Sequence, residues 1–312
     1  MHHGASHDAQ EPFGCLAVAS TRLRSDVDAP GSRRQDEFVI TPLEPSPAPR
    51  HERTIMRMAP RPRTAILVFL GYLVGFYGVW AMTSVDYTRI GDTADTVLKW
   101  YVAPLAFGAV FLVVAVTALG WWRPALFETE KATPRWLLIG PAFMAVAAVI
   151  TLVTSDKSKT TMTMFWLILI GSLLVGFCEE LATRGVLITG FRAAWTEPRV
   201  WFVSTLLFAL LHLPNWVFGA GPVALVQVFT AFFAGSMLYL TRRVTGSLIP
   251  AMLLHGLWDF SSFIGDPAVI TNALLLVNTI LALILVLVLL RQEKGQRLPQ
   301  VGVTVPDPLP AT

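Results

Sequence analysis

The sequence is short of charge: only 14% of its 312 residues are Asp, Glu, Lys or Arg, against 54% apolar. An ordinary soluble domain carries about 25% charge, so a soluble globular enzyme is disfavoured from the outset. Cysteine is nearly absent. Cys15 and Cys178 are too few and too badly placed for a disulfide framework, and no CxxC spacing offers a zinc site. Charge of one sign is also missing: the net charge is +3, and the basic residues punctuate apolar runs without forming a stripe, which leaves no footprint for nucleic acid. No apolar core precedes Thr64, so the N-terminal region does not read as a secretory signal. No repeat relates the two halves of the chain.

The charge that is present is unevenly placed. Residues 1–63 hold nine Arg and eight Asp or Glu, leaving 28 of the 45 charges for the other 249 residues. With His2, His3, His7 and the prolines 42, 45, 47, 49, 60 and 62, this segment reads as a disordered polar tail. Met56 stands directly ahead of a short basic stretch and the first apolar run, so residues 1–55 read as a candidate mis-assigned extension. Residues 291–312 read as a second solvated tail.

Between the tails lies a domain, 64–290, made of apolar runs of the length a bilayer requires, roughly 20 residues per helix. The runs fall at about 64–84, 99–121, 135–154, 163–188, 199–218, 222–240, 247–264 and 272–290. The expected fold is all-α and polytopic, with about eight transmembrane helices and both termini on one side. Connections on that side carry ten basic residues (Arg123, Lys131, Arg135, Arg192, Arg199, Arg242, Arg243, Arg291, Lys294, Arg297) against four (Arg89, Lys99, Lys157, Lys159) on the other. The positive-inside rule then makes both termini cytoplasmic. Gly71 and Gly75 in the first run have the spacing that admits a close helix neighbour.

In so apolar a domain an ionisable group inside a span needs a reason, since Asp, Lys or Arg at a helix centre costs about 2.5–3.5 kcal/mol on insertion scales. Six residues pass that filter: Glu179, Glu180, Arg184, His212, His255 and Asp259. The chain has six histidines; four lie in the tail, and the two in the domain both lie inside runs. Helical spacing stacks Glu180 on Arg184 as an i, i+4 pair and turns Glu179 about a quarter-turn away, free to act as a base. His255 and Asp259 also lie one turn apart, as do Phe208 and His212, and Pro214-Asn215 should break the helix after His212. From the expected cytoplasmic helix ends, Glu179, His212 and His255 lie ~13, ~20 and ~12 Å deep, close enough for one centre. Such a set suits hydrolysis. Glu179, His212 and His255 also suit zinc with an open fourth position. Other readings of the residues stay open: an ion-pair network that only holds helices together, hydrogen-bonded core histidines, or the proton relay of a proton-coupled transporter. Cys178 reads as a small apolar residue.

The motifs carry a resemblance. Glu179-Glu180-Leu-Ala-Thr-Arg184 fits EExxxR, Phe208-Ala-Leu-Leu-His212 fits FxxxH and His255-Gly-Leu-Trp-Asp259 fits HxxxN/D, in that order and each in a separate apolar run. Over roughly 160–264 the chain resembles the CPBP (CAAX protease and bacteriocin-processing, Abi) family of intramembrane endopeptidases. The resemblance implies hydrolysis of a peptide bond in a membrane-embedded or lipid-anchored protein or peptide, in the plasma membrane of a prokaryote. It implies that Glu179 activates water, His212 helps hold that water, His255 and Asp259 stabilise the oxyanion, and Glu180 with Arg184 supports the site. Asp259 replaces the more usual Asn of the motif. Family members include metalloproteases and glutamate proteases, so zinc and a metal-free mechanism are both open, as is a non-catalytic immunity or scaffold role on the same fold.

Overall fold

The computed structural model describes residues 56–132 and 134–299. The expectations for residues 1–55 and 300–312 lie outside the described residues. Every apolar run read from the sequence contains a helix. We label the principal helices α1 Pro62–Thr83, α2 Ala94–Leu119, α3 Arg135–Thr154, α4 Met162–Arg192, α5 Glu197–Leu210, α6 Val223–Thr245, α7 Ile249–Phe263 and α8 Ile270–Gln292. Among the described residues there is no β-sheet; two isolated bridges, Phe127 with Ser247 and Asp156 with Asp266, tie connections together.

Six of these helices, all but α5 and α7, are long and apolar enough to cross a bilayer. The other two runs are helical but short, with 14 residues in α5 and 15 in α7. At 1.5 Å per residue they reach only about 21–22 Å of a hydrocarbon core about 30 Å thick. The reason in α5 is local: the chain turns into a 3-10 segment, Leu213–Trp216, at Pro214, whose ring cannot continue the helix. These two truncated helices end beside His212 or carry His255 and Asp259.

The outer faces are apolar, and the interior, itself largely apolar, also encloses charged side chains. Val74, Val153 and Leu276 are strongly exposed on helix exteriors, while Arg184, Arg242 and Glu180 are fully buried. That distribution suits a molecule whose surroundings are lipid. At the start of α1, Met58 N–H donates to the Leu119 carbonyl and its own carbonyl accepts from Trp121 Nε1. The face of α1 bearing Gly71 and Gly75 meets Phe111 and Phe107 of α2, so the small residues make room for aromatic rings.

Two features place the site. The first is the close seating of α7 on α4, the most extensive helix pair in the molecule. A side chain on Gly176 would run into the Met252 carbonyl, and a Cβ on Gly256 would stand only 3.1 Å from the Ser172 carbonyl. Both glycines are needed for the two backbones to approach this closely. The second is a widened, π-helical stretch in α4 at Leu181–Leu187, directly after the two glutamates. Such turns are rare and often mark functional positions.

Candidate active site at the α4, α5 and α7 junction

Thr161 caps the start of α4 by accepting from Met164 N–H, and the helix then delivers Glu179 and Glu180 near its far end. Because neighbouring helical residues point ~100° apart, the two carboxylates face different partners. Glu180 turns inward. Its Oε1 accepts from Arg184 Nη1 at 2.9 Å and from His255 Nδ1 at 3.1 Å, and all three side chains are buried. Arg184 Nη1 also donates to Thr183 Oγ1 at 2.9 Å, and its guanidinium lies over the Phe208 ring, 3.8 Å from the centroid. Phe208, the first residue of the second motif, thus packs against a member of the first. Its ring also meets His212 and His255 edge to face.

Glu179 turns the other way, into a cleft lined with Tyr72, Tyr77, Tyr101, His212 and Asp259. Its Oε2 is buried with no hydrogen-bond partner and stands 3.9 Å from His255 Nε2. Asp259 Oδ1 is 3.8 Å from the same Nε2. Both separations exceed a hydrogen bond, so the ring's far nitrogen projects into the space between the two carboxylates. His212 Nδ1 lies 3.2 and 3.3 Å from the carbonyls of Phe208 and Ala209. A carbonyl only accepts, so Nδ1 carries the proton and Nε2 is left with a free lone pair. His212 and Asp259 line both this cleft and a second cavity that extends past His255 and Trp258 toward α6 and α8.

All six residues selected from the sequence therefore meet at one junction: Glu180, Arg184 and His255 as a bonded triad, with Glu179, His212 and Asp259 around the cleft. The three zinc candidates, Glu179, His212 and His255, are not gathered as a ligand set; among the described residues no group of three or more His, Cys, Asp or Glu is arranged to hold a metal ion. Cys178 is buried, its Sγ 3.4 Å from the Leu105 carbonyl.

Sequence reasoning missed a polar chain on the cleft wall. The Tyr77 hydroxyl donates to the Leu211 carbonyl and lies 3.2 Å from Asn215 Oδ1; Asn215 Nδ2 donates to Gln227 Oε1 at 2.9 Å; Gln227 Nε2 donates to Tyr87 Oη at 3.0 Å. In the sequence Asn215 stands out only as part of the Pro214-Asn215 helix break. Gln227, an amide inside an apolar run, was a usable signal that a filter for ionisable groups passes over.

Residues 161–261, about a third of the chain, match the family model for type II CAAX prenyl endopeptidase, Rce1-like. The match covers the three motifs and agrees with the resemblance they carry. No curated protein matches the chain.

Proposed function

We propose that this protein is a CAAX-type intramembrane endopeptidase that hydrolyses a peptide bond in a membrane-associated protein or peptide, through the segment matching the Rce1-like family, with Glu179 as general base. The observation that carries the reading is the unpartnered Glu179 Oε2, buried at a cleft that His212 also lines. A water molecule there is held by His212 and gives its proton to Glu179 as its oxygen attacks the scissile carbonyl. The carbonyl oxygen takes the negative charge and is met by Nε2–H of a doubly protonated His255, whose Nδ1–H is held by the Glu180 carboxylate. Collapse breaks the C–N bond, and the proton on Glu179 passes to the departing amine. Asp259, flanking Nε2 without bonding it, orients the imidazole toward the substrate. No step in this sequence passes through a metal. The protease domain is 64–290, both termini are cytoplasmic, and the substrate is brought to the site by a lipid anchor or an adjoining helix.

Glu179→Gln keeps the shape and removes the base. Cells carrying it should lose every processed terminus on membrane-associated peptides that wild-type cells show by comparative proteomics, with the variant present at normal levels; an unchanged set of termini overturns the reading. Zinc content of the purified protein before and after chelation, paired with activity, checks the metal-free route. Full activity without bound zinc is expected.

A further inference from the structure

Arg184 is the keystone of the buried triad, and α6 touches it in two places. Near mid-helix, a Cβ on Gly235 would collide with Arg184 Nη2 and with the Phe208 ring. Only a residue without a side chain leaves the guanidinium room to lie flat on Phe208 and reach Glu180. Seven residues on, two turns later and so on the same face of α6, Arg242 donates through Nη1 to the main-chain carbonyl of Arg184 itself. The same guanidinium donates to the carbonyls of Ala125 and Pro124, both at 2.9 Å, and through Nε to Glu128. Arg242 is fully buried, and it spends its donors on three backbone carbonyls and one carboxylate.

We infer that α6 is the positioning element of the site, with Arg242 fixing the π-helical turn of α4 by its Arg184 carbonyl and Gly235 leaving the space in which the Arg184 head group meets Glu180. The inference rests on the protease reading for its kinetic consequence, though not for its geometry. The widened turn at Leu181–Leu187 is where α4 departs from regular geometry, so it needs an outside hold. Arg242 supplies that hold from a helix that contributes none of the motif residues. If the turn relaxes, Arg184 leaves Glu180, Glu180 no longer holds His255 Nδ1, and Nε2 swings off the oxyanion position. Arg242 touches neither substrate nor reacting atoms; it acts through Arg184, Glu180 and His255 in series.

Arg243, its chain neighbour, is the natural control. It belongs to the same charged cluster, pairing with Glu128 and Glu293 and donating to the Glu130 carbonyl, yet none of these contacts reaches the turn that carries Arg184.

The test compares full-length Arg242→Lys, Arg242→Met, Gly235→Ala and Arg243→Gln in detergent, by thermal unfolding, by kcat and KM on a prenylated peptide ending in a CAAX sequence, and by the nitrogen-15 spectrum of the histidine rings, with the His255 signals assigned by their loss in His255→Gln. A displacement of about 1 Å at a catalytic group can cost on the order of 100-fold in rate. Arg242→Met and Gly235→Ala should therefore lower kcat by about that factor with KM unchanged and should move the His255 signals. Arg242→Lys, which keeps a donor, should recover part of the loss. Arg243→Gln should lower the unfolding temperature and leave both kcat and the His255 signals in place. Unmoved His255 signals in Arg242→Met and Gly235→Ala, or equal loss of kcat in Arg243→Gln, overturns the inference. A wild-type protein that cleaves nothing while its His255 signals still respond to Arg242 overturns the protease reading instead.

Discussion

Glu179 and Glu180 are adjacent in the chain, yet one is bonded on the inside of the helix bundle and the other stands free at the cleft. The helical twist alone separates them, and that much was legible: the i, i+4 spacing pointed to the Glu180 to Arg184 pair, and it is present at 2.9 Å. The partner of His255 was not legible. Spacing on its own helix suggested Asp259, but the ring bonds Glu180 across the α4 to α7 contact and keeps 3.8 Å from Asp259. Spacing reports on one helix; it is silent about the rotation of the next. The two glutamates should separate by experiment. Glu180→Gln leaves the buried Arg184 without its counter-charge and should cost about 3–5 kcal/mol of stability, together with activity. Glu179→Gln removes only the long 3.9 Å approach to His255 Nε2 and should unfold near the wild-type temperature while being inactive. Thermal unfolding of the two purified variants decides this.

Among the elements, the pairing of α4 with α7 matters most for the site, because it sets the distance between Glu180 and His255. Its two glycines offer a graded probe. An added methyl at Gly176 meets the Met252 carbonyl, which is backbone and cannot swing aside, so Gly176→Ala must push α7 outward and should reduce activity about 10-fold or more. Gly78 in α1 has nothing within 4 Å of the same methyl; Gly78→Ala should keep full activity and hold or slightly gain stability, since Ala gives up less backbone freedom in a helix. The eight apolar runs were readable as helices because hydropathy is a local property. That α5 and α7 are shorter than the runs that contain them was not readable, because their flanking apolar residues belong to turns and connections that hydropathy counts equally. The π-helical turn in α4 likewise has no signature in Leu181–Leu187.

At the scale of the whole molecule, one end of the bundle is held by buried charge. The Glu128 carboxylate, in the connection between α2 and α3, receives Arg192 at 2.8 Å and Arg243 at 2.7 Å as well as Arg242, while Arg192 also pairs with Glu197 and Arg243 with Glu293. Burial pushes the Glu128 carboxyl up, but the three arginines outweigh it and hold the group well below the usual carboxylate range. A depressed folded-state pKa contributes stability that is complete above the unfolded value, about 4.3 for Glu, and is lost as pH falls toward the folded value. Unfolding temperature should therefore be insensitive to this group between neutrality and about pH 5 and fall below about pH 4. Glu128→Gln should lower it at neutral pH and flatten the acid limb. Arg192, Arg242 and Arg243, which the sequence offered as loop charges for orientation, are thus buried. Exposed positions test orientation better: in a background without Cys15, Ser158→Cys should react with an impermeant maleimide from outside the cell and Lys294→Cys should not. By itself the sequence determined the membrane class and singled out the six residues that meet at the candidate site, because an ionisable group in an apolar run is costly wherever the run folds. Only the tertiary structure decided which of them bond to one another, that Glu128 gathers three arginines, and that Arg242 of α6 bonds the Arg184 carbonyl; these depend on how helices rotate and cross, and a one-dimensional pattern carries no record of that.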